Sequence, residues 1–383
     1  MKPSDIRVAL FSGNYNYVRD GANQSLNKLV GHLLSRGVNV RVYSPTVEKP
    51  AFEPTGDLVS IPSWPLPGER GEFRFATHLP KSVHDDLAAF RPNVIHVSAP
   101  EFIGHAAIRY ARKHGLPVVA SMHTRFETYP RYYKLGFLEP LVIHLLTRFY
   151  NKVDAVVVPA QSSIDLLREW GVTTPIGIWA RGVDHDTFSP KRRDLAWRRS
   201  LGIADDEFAV GFLGRLVKEK GLDIFSEVCR RLTAQGVPHR VLVVGEGPAR
   251  EWFGELVPEA AFAGFQRGND LGRAVASMDV LFNPSVTESF GNVTLEAMAA
   301  GVPVVAARAT GAVDLIDEGE TGFLVPPRDV QAYADRIAML ARDSTLYRAQ
   351  SDAGHAKADG YVWDAINEKV IDTYFEVLER HAK

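Results

Sequence analysis

Short β-branched apolar segments alternate with segments of helical period from one end of the chain to the other, and nothing else in the sequence restricts the fold as much. Ile6–Phe11 gives way to helical spacing over Gln24–Ser35 and then to Val38–Tyr43. Val94–Val97 gives way to a helical stretch ending at His114 and then to Val118–Met122. Strands separated by helices pair in parallel, because only a crossover connection returns the chain to the same end of a sheet. Runs such as Ala155–Val158 lack the period-two alternation of a half-exposed strand and read as strands covered on both faces. The alternation pauses between Gly182 and Glu207, then resumes with Phe208–Leu213, Val241–Val244, Val280–Asn283 and Val302–Ala306. Two doubly wound parallel-sheet domains are therefore expected, over 1–187 and 208–365, joined by a linker over 188–207. A final helix over 366–383 is free to pack back on the first domain.

Composition removes other classes. At 383 residues, 45% hydrophobic and 23% charged, the chain has material for two cores. A lone cysteine, Cys229, rules out a disulfide framework or a multi-cysteine zinc site and suits a reducing compartment. The longest apolar runs, such as Val153–Ala160, fall far short of the roughly 18 to 20 residues that span a bilayer. The first residues carry no secretory signal pattern, so the expected location is cytoplasmic. Lys and Arg number 21 against 17 Asp and Glu up to residue 187, and 23 against 29 beyond it. Neither half has the basic field of a dedicated nucleic-acid binder, and no nucleic-acid partner is expected.

In open parallel sheets ligands bind beyond the carboxyl ends of the strands, so the loops after the strands are where chemistry belongs. After Phe208–Leu213 comes Gly214-Arg215-Leu216-Val217-Lys218-Glu219-Lys220-Gly221, where Arg215 and Lys220 can reach one anion, a fork-shaped guanidinium and a point charge suiting a diphosphate. After Val241–Val244 comes Gly245-Glu246-Gly247, which either closes a tight turn or lets backbone approach a nucleotide; the third glycine of a dinucleotide fingerprint is replaced by Arg250. After Val280–Asn283 comes a loop holding Glu288, then Phe290-Gly291-Asn292 opening a small-residue helix that carries Glu296. Two carboxylates eight apart, one in a loop and one on a helix, can accept bonds from different hydroxyls of one sugar-bearing ligand. The helix start beside them favours a phosphate. In the first domain, His123 directly follows strand Val118–Met122, placed either to donate to a sugar hydroxyl or to pack in the core.

At these residues the chain resembles the retaining glycosyltransferases of family 4, which have the GT-B fold of two Rossmann-like domains facing across a cleft. The Glu-x7-Glu pair matches Glu288 and Glu296, the Gly-Arg-Leu…Glu-Lys-Gly loop matches Arg215 and Lys220, and Arg181-Gly182-Val183-Asp184 matches the segment closing the first domain. The resemblance implies an acceptor-binding first domain and a second domain that binds the nucleotide-sugar. Glu288 would touch the transferred sugar, Glu296 the nucleotide ribose, and Arg215 with Lys220 the diphosphate. His123 would be the active-site histidine, and the Asp20-Gly21-Ala22 turn would approach the phosphates. Met122–Tyr133 and Trp179–Asp184 look most like the lipid-directed branch, which includes sulfoquinovosyl-diacylglycerol synthases and glucuronosyl- and mannosyl-glycolipid synthases. The sequence departs from the family at Thr310-Gly311-Ala312-Val313-Asp314 and in having one glycine, Gly21, where many members have two.

The resemblance implies transfer from a UDP- or GDP-sugar with retention, without cofactor or essential metal. The Asp184-His185-Asp186 triplet is then not a metal site. Arg131, Tyr132, Tyr133 and Lys134, within the aromatic and leucine-rich stretch 130–152, suit an anionic membrane surface and a lipid acceptor such as diacylglycerol or ceramide, although such a stripe also suits a core helix. A peripheral place on the inner face of the cytoplasmic membrane follows. The competing readings are the same donor chemistry on a soluble acceptor, a nucleotide-sugar epimerase of the same fold, and a non-catalytic sugar-nucleotide binder.

Overall fold

The computed structural model describes residues 1–18, 20–65, 74–132 and 135–383. They form two compact units, one of Met1–Arg181 with Trp363–Lys383 and the other of Gly182–Val362. Among the described residues no helix is long and apolar enough to cross a membrane.

The first unit is built on strands β1 (Arg7–Phe11), β2 (Asn39–Ser44), β3 (Asp57–Ser60), β6 (Val94–Val97), β7 (Val118–Ser121), β8 (Ala155–Val158) and β9 (Ile176–Ile178). A small antiparallel hairpin, β4 (Trp64–Pro65) and β5 (Arg74–Phe75), stands apart from that sheet. The sheet runs β3-β2-β1-β6-β7-β8-β9, wholly parallel. β6, β7 and β8 are buried along their whole length, as their unbroken β-branched runs require. The second unit carries β10 (Phe208–Leu213), β11 (His239–Val244), β12 (Ala261–Gly264), β13 (Val280–Asn283), β14 (Val304–Ala307) and β15 (Gly322–Val325), in the parallel order β12-β11-β10-β13-β14-β15. In each sheet the order reverses around one strand, β1 between β2 and β6, and β10 between β11 and β13. Connections leave such a strand pair toward opposite faces and open a crevice at its carboxyl end. The candidate residues follow β7, β10 and β13.

Three boundaries differ from the sequence expectation, the first being the end of the first stretch, at Arg181 rather than 187. The stretch 188–207 is not a free linker: it belongs to the second unit and contains a short helix, Leu195–Ser200, capped by Asp194, which accepts from Trp197 N at 2.9 Å. Two of its arginines are tied to one carboxylate of the second unit. Arg198 is buried and pairs with Asp279 at 2.9 Å, Arg193 reaches the other oxygen of that carboxylate at 2.6 Å, and Asp279 also accepts from Ala209 N at 2.7 Å. The final helix begins at Trp363, three residues before the expected start, and is part of the first unit. It buries Ile366, Val370, Ile371, Tyr374, Val377 and Leu378. Polar contacts fix its register: Tyr374 Oη lies 2.6 Å from His96 Nδ1, Trp179 Nε1 donates to Asn367 Oδ1 at 3.0 Å, and His32 bridges Asp364 and Glu368 at 3.2 and 2.9 Å.

Candidate active site

In the second unit, chain leaving β10 turns at Gly214 and anchors through the buried Leu216, which leaves Arg215 exposed. A single helical turn, Lys218–Lys220, ends on Gly221 at φ +72°, a conformation an L side chain resists. Lys220 Nζ donates to Glu288 Oε1 from the loop after β13, so the two loops of the reversal point meet in a half-buried ion pair. Eight residues on, Glu296 lies on the helix Asn292–Ala299. Burial pushes its carboxyl up to about 8, and the charge of Glu288 adds to that shift. One ammonium and two carboxylates thus share one place at the carboxyl end of the sheet. The helix start beside them is Gly291 at φ +94°, and no side chain caps it, so the first-turn N–H groups keep their preference for an anion.

Other residues expected at the donor also have packing roles of their own. Phe290 is buried, edge-on to Tyr361 with ring centroids 6.0 Å apart, so only its backbone is left to meet a ligand. A Cβ on Gly245 would stand 1.9 Å from the Gly214 carbonyl oxygen, and one on Gly247 would stand 2.4 Å from that of Leu216. Those two glycines let the loops after β10 and β11 close on each other, which accounts for Gly-x-Gly without a nucleotide. Gly311, where the sequence departs from the family, has φ +86° and faces the Phe290 backbone, which a Cβ would approach to 2.7 Å. Thr310 Oγ1 donates to the Glu288 carbonyl at 3.1 Å, so this segment supports the Glu288 loop. In the Asp184-His185-Asp186 triplet the Asp184 carboxylate closes its own turn, accepting from Asp186 N, Thr187 N and Thr187 Oγ1 at 3.1, 3.2 and 2.9 Å.

In the first unit, His123 lies just beyond β7, edge-on to Trp179 with ring centroids 5.2 Å apart. Burial holds its pKa well below the ordinary imidazole value, and Arg181 and His96 push the same way. Arg181 Nη2 lies 2.7 Å from His123 Nδ1. Sequence reasoning quoted Arg181 as part of a motif and missed this contact. Its signal was an arginine just past a strand end, which only the fold brings to a histidine 58 positions away. At the start of helix Gly21–Ser35, Asp20 caps its own helix, accepting from Asn23 N at 2.8 Å. An acid therefore already occupies the turn expected to approach phosphates.

The proposed membrane stretch divides. Arg131 is bound through Nε and Nη2 to the Glu139 carboxylate, which that bond holds below its usual range, so Arg131 is not a bare surface cation. Tyr132 ends the short helix Tyr129–Tyr132, and Tyr133 and Lys134 lie outside the described residues. The helix Glu139–Tyr150 buries Leu146, Phe149 and Tyr150 on one side, while Leu141 and Leu145 are 54% and 57% exposed and Phe137 ahead of it is 75% exposed. The stretch thus has one buried apolar face and one exposed apolar face.

Comparison with known proteins finds similarity along most of the chain. Residues 19–187 match the model for Glycosyltransferase Family 4 and residues 207–343 that for Glycosyl transferases group 1, most of the chain between them. A GDP-mannose-dependent alpha-mannosyltransferase of Corynebacterium glutamicum is 29% identical over 97% of this chain and 89% of its own. The sulfoquinovosyl transferase SQD2 of Arabidopsis thaliana is 29% identical over 95% of this chain and 72% of its own. Alpha-monoglucosyldiacylglycerol synthase of Acholeplasma laidlawii is 24% identical over 83% and 84%. Among solved structures, sucrose-phosphate synthase from Thermosynechococcus elongatus superposes with a TM-score of 0.81 at 21% identity over 98% of this chain and 100% of that one. HepE of Anabaena, solved with UDP-glucose, superposes at 0.75 and 19% identity over 97% and 100%. With two parallel sheets, and with both halves matching glycosyltransferase models, the chain belongs to the family 4 type of GT-B glycosyltransferases.

Proposed function

We propose that this protein moves a hexosyl group from a UDP- or GDP-sugar to a membrane lipid such as diacylglycerol or ceramide, with retention of the anomeric configuration, while resting on the inner face of the cytoplasmic membrane. The observation that carries the donor half is the meeting of Lys220, Glu288 and Glu296 beside the uncapped start of helix Asn292–Ala299. In this reading Glu296 accepts from ribose hydroxyls, Glu288 from the transferred sugar, and the helix N–H groups hold a phosphate. Arg215 and Lys220 neutralise the nucleoside diphosphate as it leaves, a task preorganised cations perform without a metal. Lys220 serves both sides: moving its ammonium toward the diphosphate frees Glu288 to accept from the sugar. His123, in the first unit, is assigned to the sugar and acceptor.

The lipid half is supported by the exposed Phe137, Leu141 and Leu145 and by the similarity to the alpha-monoglucosyldiacylglycerol synthase of Acholeplasma laidlawii. Apolar side chains bared on one helix face suit the headgroup boundary of a bilayer, and Arg148, also exposed, suits its anionic surface.

The test is release of nucleoside diphosphate from a panel of UDP- and GDP-sugars, in EDTA, with and without anionic liposomes carrying diacylglycerol or ceramide. The expected outcome is turnover with one donor class, stimulated by liposomes and indifferent to EDTA, with the protein pelleting on the vesicles. Turnover on a soluble sugar or polyol with no response to lipid would refute the lipid acceptor. An epimerised donor with no acceptor product would refute transfer, and loss of activity in EDTA would refute the metal-free mechanism.

A further inference from the structure

We propose that Arg181 is a positioning residue for His123: its hydrogen bond to Nδ1 fixes the neutral imidazole with the proton on Nε2, so that His123 acts in the reaction as a hydrogen-bond donor and not as a base. A guanidinium has five N–H donors and no acceptor, so the nitrogen 2.7 Å from Arg181 Nη2 must be the one carrying the lone pair. The ring proton is then on Nε2. Catalytic histidine bases have the opposite arrangement, a carboxylate or carbonyl accepting at one nitrogen and a lone pair left on the other.

The guanidinium is itself held in place. Arg181 is 4% exposed, and Nη1 donates to the Trp179 and Ala180 carbonyls at 2.8 and 2.9 Å. Its plane lies over the Trp179 ring at 4.8 Å, and that indole is tied by Nε1 to Asn367 at 3.0 Å. The same indole meets the His123 ring edge-on, so one tryptophan orients both members of the pair. Burial lowers Arg181 only to about 9, which leaves it charged at neutral pH. A second titratable group acting on His123 is His96, itself pushed down to about 3 by burial and bonded at its two nitrogens to Tyr374 and Ser121. Both neighbours disfavour an imidazolium at position 123, and neither offers it a negative charge.

This inference rests on the assignment of His123 to the active site, and its test separates the two. Long-range 1H–15N correlation spectra of histidine-labelled wild-type protein, with His123 identified by its loss in H123Q, read the tautomer directly. The expected result is the Nε2–H pattern, unchanged from pH 8 down to about 5.5. An Nδ1–H pattern, or an imidazolium at pH 6, would overturn the proposal with no variant needed. Arg181→Gln, which retains a donor but not the charge, should keep the tautomer and introduce an acidic limb in kcat. Arg181→Met should mix the tautomers and lower kcat about tenfold, the worth of one net hydrogen bond, with donor Kd changing less than twofold. A folded R181M with wild-type kcat and pH profile would also overturn it. If H123A turns over as fast as wild type while the Nε2–H pattern is present, the active-site assignment of His123 falls, and with it Arg181's part in the reaction.

Discussion

Glu296 occupies a place where a carboxylate is expensive, and that cost is readable. Its pKa stands at about 8 because burial and the neighbouring Glu288 both oppose ionisation. Hydroxyl groups donating to it favour the ionised form, so donor binding should release a proton and tighten about tenfold per pH unit up to that value. Titration calorimetry in buffers of different ionisation enthalpy measures both effects, and wild-type affinity that is flat from pH 6 to 8 would refute the role. Stability runs the other way. With the folded pKa above the unfolded one of about 4.3, the destabilisation is absent below that pH and grows until pH 8 is passed. Glu296→Gln should therefore raise Tm at pH 8 but not at pH 4, about 2–4 °C for each kcal/mol regained. Glu296→Ala should abolish tight donor binding, whereas His123→Ala should lower turnover with donor affinity kept. Lys220 and Glu288 were legible in the sequence because each sits in the loop after a strand, and Glu296 because it lies eight residues after Glu288 on the small-residue helix that follows. The bond from Arg181 to His123 was not, because it joins loops after β9 and β7 that only the parallel pairing brings together.

Strands and crossover helices could be read along the chain because burial on both faces leaves its mark on consecutive residues. The run Lys191-Arg192-Arg193-Asp194 misled for the complementary reason: charge reads as solvation unless the partner is known, and Arg193's partner is 86 positions further on. The segment Pro190–Ser200 is held to the second unit by Arg193 and Arg198 converging on Asp279, with Arg198 also donating to the Glu207 carbonyl at 2.6 Å. Asp279→Ala would leave a buried guanidinium without its counter-charge, and such truncations cost about 3–5 kcal/mol. Urea unfolding of the variant should show a loss of that size. A change under about 1 kcal/mol, the worth of an exposed pair, would mean that the segment is held by something else. Gly245 and Gly247 teach a similar lesson: a motif that suggests a ligand is explained by two loops needing to touch.

The first unit is discontinuous, formed from Met1–Arg181 and completed by Trp363–Lys383. The returning helix covers His96 and Trp179, which underlie His123. A fragment of residues 1–181 should accordingly melt without a cooperative transition, and fusing 363–383 to it should restore one. Differential scanning calorimetry decides, and a sharp transition in the short fragment would show the helix to be dispensable. That arrangement has a consequence for biosynthesis. A ribosome adding about 5–20 residues per second makes the whole second unit before the covering helix emerges. For roughly 10 to 40 s the nascent sheet carrying His123 lacks its lid, an interval in which a chaperone has something to hold.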